Sequence, residues 1–182
     1  MLCFFLKEGV VMALKGKFIL NEADFAPLTI YGVGTFLAFS GNGEYRNRSN
    51  STTTPDNGPI PEGKYWIVDR PEGNWKNGLR SWAIDTQRTY WDGVPTDHST
   101  WFALYRDDRG IDDTTWINNV RRGSFRLHPG RLSLGCITLA HSSDFEIIRK
   151  ALLNTEQVRV PCMKSLMTYG CIEVVTNAND RP

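Results

Sequence analysis

The 182-residue chain carries 21 basic and 20 acidic side chains, a net charge of +1. That balance excludes a global field for nucleic acid or an anionic membrane, and no apolar run approaches the ~20 residues of a membrane-spanning helix. Six Trp, six Tyr and nine Phe, beside 16 Gly and 9 Pro, predict a mainly β fold with many turns; a chain of this length folds as one domain without a metal or disulfide staple.

Residues 1–6 are apolar, but the run stops at Lys7-Glu8, has no basic flank and is too short for a secretory leader. Residues 1–12 therefore read as an extension, with Met12 an alternative start, ahead of a single domain over 13–176. Residues 17–20, 28–31 and 35–39 read as strands. Gly32-Val33-Gly34 has no helix behind it, so it is not read as a phosphate loop. A turn over 40–43 leads into a polar stretch, 44–58, rich in Asn, Ser, Thr and Arg. A loop that long is either functional or a mobile surface segment, and both readings stand.

Pro59-Ile60-Pro61-Glu62-Gly63 cannot be helical and feeds a strand over 64–68. Residues 69–78 read as a loop, and 81–85 and 101–105 as strands. Residues 86–100 between them hold Trp91 and His98 among turn formers. The stretch 106–122 is dense in charge and reads as a solvated connection whose ion pairs contribute little. Residues 145–153 form the one clear helix: Ser or Asp within 142–144 caps it, apolar positions recur at helical spacing, and Glu146 and Lys150 pair at i,i+4. Residues 158–160 and 172–175 read as closing strands, and 177–182 as a polar tail. Cys162 and Cys171 either pair or stay free, and Cys3 is incidental. Three scattered His give no zinc spacing, so neither metal nor cofactor is expected.

The chemistry concentrates in residues 125–139. Thiolate, not thiol, is the nucleophile, so a reactive Cys136 needs a base, and His128 lies eight residues upstream. Eight residues span about 12 Å on a helix and about 26 Å in an extended strand. A chain reversal is needed to bring sulfur to imidazole, and Pro129-Gly130 supplies a turn signal. Apolar 125–127 and 137–139 suit two short strands leading into and out of it. Gly135 lets the backbone pass closely, so that peptide N–H groups can face a developing oxyanion. Ser133 is either a site hydrogen-bond donor or a turn hydroxyl. His98 and His141 are rival bases; His141 falls at the helix start, where a cap or surface role fits better. Arg121, Arg122, Arg126 and Arg131 are candidates for binding carboxylate, which Arg grips bidentately.

Ser133-Leu134-Gly135-Cys136 with His128 upstream resembles the catalytic signature of L,D-transpeptidases. With Phe39-Ser40-Gly41-Asn42-Gly43, residues 58–65 and residues 125–129, the chain resembles more narrowly the L,D-transpeptidase-related toxins delivered by type VI secretion systems of Gram-negative bacteria. The resemblance covers roughly residues 30–140. It implies an L,D-transpeptidase-like sandwich or partly closed barrel with one α-helix after the catalytic segment. It implies catalytic Cys136 and His128, assisted by Ser133 and Gly135, with a backbone carbonyl orienting the imidazole. Arg121, Arg126 and Arg131 would then bind peptidoglycan stem peptides. It further implies secretion without a Sec signal, action in the periplasm of a target cell, an immunity protein and a secretion apparatus as partners. The family often has Arg two residues after the Cys; Thr138 stands there, which bears on the acyl acceptor. A non-catalytic wall-binding module on the same fold is the alternative.

Overall fold

The structure is a computed structural model that describes residues 13–70 and 98–177. The strands are β1 (Leu14–Leu20), β2 (Ala26–Ile30), β3 (Gly34–Phe39), β4 (Gly63–Asp69), β5 (Phe102–Arg106), β6 (Thr114–Ile117), β7 (Val120–Gly123), β8 (Arg126–Pro129), β9 (Ile137–Leu139), β10 (Val158–Arg159), β11 (Met167–Thr168) and β12 (Gly170–Thr176). The helix among the described residues is α1 (Ser142–Leu153). The expected strand over 81–85, the loop over 71–78, most of the 86–100 segment, the N-terminal extension with Cys3, and the tail from 178 lie outside the described residues.

Eight strands close into a barrel in the order β1-β12-β4-β5-β8-β9-β3-β2. The mainly β fold with a helix after residues 125–139 is observed, and the barrel is closed rather than a sandwich. Alternation drives it. Phe18 and Leu20 on β1, and Ala26, Leu28 and Ile30 on β2, are buried at every second position, as a strand with one covered face requires. Closure joins the first strand to the last: β1 pairs in parallel with β12, Leu14 opposite Gly170 through Leu20 opposite Thr176. Gly170 permits this contact, because a Cβ there would meet the Leu14 carbonyl at 1.9 Å.

α1 lays Phe145, Ile148 and Leu152 against the same core that receives Leu127 of β8 and Ile137 and Leu139 of β9. Each such side chain stabilises by about 1.5–3 kcal/mol, which pins the two site-bearing strands. The N-cap of α1 is His141, with no side-chain cap bond, so the expected Ser or Asp cap is corrected. Ser142 is already the first helical residue.

Residues 106–122 also differ from expectation. The charge-dense stretch holds a hairpin, β6–β7, in register from Thr114 opposite Gly123 to Ile117 opposite Val120. Asn118 and Asn119 make its turn at φ 48° and 63°. Asn tolerates that region better than most residues, which is what a two-residue hairpin turn needs. Its charges masked the hairpin in the sequence. Neither Cys162 nor Cys171 is in a disulfide, and the first is exposed and the second half-buried.

Candidate active site

β8 and β9 carry the expected pair, in a different arrangement from a hairpin. They run parallel, with Leu127 opposite Ile137 and His128 opposite Thr138. One reversal would leave them antiparallel. The chain instead turns at Pro129-Gly130 and turns again before Cys136. Strand alternation then puts Leu127 and Ile137 in the core, and His128 and Thr138 together on the other side. Continuing the register by one pair sets Cys136 beside Arg126 on that same side. Diagonal neighbours on a sheet lie about 7–8 Å apart, within reach of long and aromatic side chains.

The imidazole is held on three sides. Its Nδ1 lies 2.8 Å from the carbonyl oxygen of Pro129. A carbonyl only accepts, so Nδ1 carries the proton and Nε2 is the basic nitrogen. Nε2 lies 3.2 Å from Thr138 Oγ1 and accepts from that hydroxyl. The ring stacks on Trp101 at 4.2 Å between centroids and 21° between planes. His128 is 2% exposed. The Pro129 carbonyl thus orients the imidazole, and Thr138 hydrogen-bonds its other nitrogen.

Cys136 is 5% exposed, and its thiol points to the carbonyl of Ser124 at 3.9 Å. Burial pushes the thiol from an ordinary 9.0 up to about 11. The Arg126 guanidinium, the Arg126 backbone N–H and Arg122 pull it down, and Asp113 pushes it up. Desolvation wins, so in this state the thiol is protonated at neutral pH. At rest the thiol is protonated rather than ionised by the imidazole: Sγ engages Ser124 O and Nε2 engages Thr138 Oγ1.

Ser133 and Gly135 shape the turn into Cys136. Ser133 Oγ donates to the Cys136 carbonyl at 2.8 Å and accepts from Gly41 N–H at 3.1 Å. It is fully buried and joins the catalytic segment to the turn after β3. Gly135 has φ +109°, and a Cβ there would lie 2.7 Å from Arg122 Nη2 and 3.1 Å from the Phe125 ring. Both backbone conformation and space demand glycine.

The arginines separate. Arg121 is exposed and lines a cleft of about 370 Å³ together with Cys136, Asp113, Arg122, Ser124 and Leu134. Arg126 is corrected as a direct substrate ligand: it is 1% exposed and grips Asp113 bidentately at 2.6 and 2.8 Å. Burial would lower its pKa, but the Asp113 bonds and charge outweigh it and hold the guanidinium firmly protonated. Arg131 lines a different depression with Arg46, Phe39 and His141. Arg122 is 5% exposed and donates to the carbonyls of Gly58, at 2.9 Å, and of Thr52. Those bonds fasten the 44–58 loop to the cleft, where Pro55 and Asp56 form part of the wall. The cleft reading of that loop, not the mobile-surface one, describes it. Of the rival bases, His141 caps α1 on the exposed surface, and His98 opens a 3-10 turn, His98–Thr100.

Sequence reasoning missed Asp113, the Ser124 carbonyl and Trp101 as parts of the site. Asp113 gave no local signal, since its partner lies thirteen residues on, in another strand. Among the described residues no group of three or more His, Cys, Asp or Glu is placed to hold a metal ion, and no helix is long and apolar enough to cross a membrane. The family model of the Tlde1 domain matches residues 34–163. A comparison with curated proteins gives no match.

Proposed function

Because the chain belongs to the Tlde1 domain family, a family of type VI secretion effectors, we propose that it is a cysteine-dependent toxin that cuts peptidoglycan stem peptides. The observation that carries this reading is the His128 ring. Its Nδ1–H is fixed by Pro129 O, and its basic Nε2 lies on the sheet face that also bears Cys136. The mouth of the cleft beside that sulfur offers Arg121 for a stem carboxylate.

The chemistry starts when Sγ leaves Ser124 O and passes its proton to Nε2. The thiolate attacks the carbonyl of the L,D bond that follows the third, diamino-acid residue. The C–N bond breaks, Nε2–H protonates the leaving D-alanine amine, and a thioester remains. Water then gives L,D-carboxypeptidase cleavage; the amine of a free D-amino acid gives exchange. Either product lacks the tetrapeptide end that cross-linking uses. Action in the periplasm of a target cell, and a neutralising immunity protein in the producer, belong to the same proposal.

Purified muropeptides test it. Wild-type protein converts tetrapeptides to tripeptides or exchanged tetrapeptides, Cys136→Ala converts none, and His128→Gln is slower by roughly 10²–10⁴-fold. Tetrapeptides left intact by the wild type would end the reading. The buried thiol, raised to about 11, favours a second reading, a wall-binding module without catalysis. In that case native protein binds sacculi, and Cys136 stays unlabelled by a thiol-directed probe at pH 7, with or without muropeptide.

A further inference from the structure

The β6–β7 hairpin has two unlike faces. Thr115 and Arg122 are paired across it, and both are buried against the body. Thr114 pairs with Gly123 and Trp116 with Arg121 on the opposite face. Thr114, Gly123 and Arg121 line the cleft that contains Cys136. Arg122, from the other face, lines it too, and the outer end of the first face is Trp116, 66% exposed.

A Trp left in water presents a large, rigid, flat surface at little conformational cost. Its neighbours here are polar: Arg121 directly opposite, and Asn118 and Asn119, both exposed, at the turn. Among the described residues of the hairpin this face holds no second apolar side chain, so it does not suit an apolar peptide or a protein hot spot, which need a packed cluster. A lone indole flanked by guanidinium and amide donors suits a sugar. The ring covers the apolar face of a pyranose while the donors meet hydroxyl and acetamido oxygens. From the Thr114–Gly123 pair, which lines the cleft, to the Trp116–Arg121 pair is two residues, about 7 Å along the strands.

We propose that Trp116, beside the Asn118 and Asn119 amides, forms a glycan subsite that takes the N-acetylated hexosamine chain bearing the stem peptide. The proposal rests on the stem-peptide reading above and extends it from peptide to glycan. The test compares a disaccharide-tetrapeptide with the free tetrapeptide. Trp116→Ala raises KM for the disaccharide-tetrapeptide about tenfold more than for the free tetrapeptide, with kcat little changed, and Trp116→Phe recovers most of the difference. An equal effect on both substrates, or no effect on either, overturns the subsite. If wild-type protein cleaves neither substrate, the enzyme reading fails by itself. The subsite is then decided by calorimetric titration of Cys136→Ala protein with a tetramer of N-acetylglucosamine. Binding that Trp116→Ala abolishes supports it; absent binding, or binding that survives, overturns it.

Discussion

Cys136 shows how burial opposes the ionisation that the proposed nucleophilic role needs. Its thiol ionises near 9.0 in an ordinary setting and at about 11 in the folded protein. The native state therefore holds the proton more tightly than the unfolded state. Below about pH 9 both forms are protonated and the native state loses nothing. Between 9 and 11 the unfolded thiol ionises first, so stability falls as pH rises. Urea unfolding of wild type and Cys136→Ala at pH 8 and pH 10.5 measures this, because other groups cancel between the two proteins. The wild type is expected to lose ground to the variant at the higher pH; a constant gap would show that the sulfur is not desolvated. The same reasoning says what substrate must do. It must bring the sulfur away from Ser124 O and toward Nε2 in a cleft whose nearest fixed cations are Arg126 and Arg122, both of which favour thiolate.

The elements that matter most at the next scale are loops fixed by backbone carbonyls. Residues 44–58 are polar, yet they are tied down. Asn42 N–H donates to Asn57 O at 2.7 Å, Gly58 N–H to Thr54 O at 2.9 Å, and Arg122 to Gly58 O at 2.9 Å. Gly58 is essential to that tie, since a Cβ would lie 1.9 Å from the Ser51 carbonyl. Gly58→Ala must push the loop off Arg122, leaving a buried guanidinium short of an acceptor. A destabilisation on the order of 1–3 kcal/mol follows from an unpaired buried donor, with a larger proportional loss of turnover because Pro55 and Asp56 move with the loop. Denaturant midpoints and muropeptide turnover on the same preparation check both; unchanged values would mean that the loop adapts freely.

At the scale of the molecule, the barrel depends on its two ends meeting. β12 is bonded to β1 on one side and to β4 on the other, and buries Ile172 and Val174. Removing residues 170–182 opens two sheet edges and exposes the core, a cost larger than the ~5–15 kcal/mol of a typical domain's total stability can absorb. The truncated chain is expected to show no cooperative thermal transition by circular dichroism, and a sharp transition would show that the barrel stands without its closing strand.

Much of this was legible in the residues themselves. Strand-like runs between turn formers located β1, β2 and β3 to within a few positions, helical spacing located α1, and the His-Pro-Gly and Ser-x-Gly-Cys runs marked out the residues of the candidate site, with Gly135 where the backbone demands glycine. These are local signals, set by periodicity, turn chemistry and side-chain reactivity. Tertiary structure alone decided that β8 and β9 run parallel, that Arg126 spends its charge on Asp113 rather than on a ligand, and that Arg121 and Arg131 face different depressions. It also decided that β12 closes the barrel on β1. Each of these depends on partners distant in sequence, and a strand or a cation carries no mark of which distant partner it will meet. That choice is made by the packing of the whole core, where burying Leu127, Ile137 and Leu139 together fixes what the opposite face can hold.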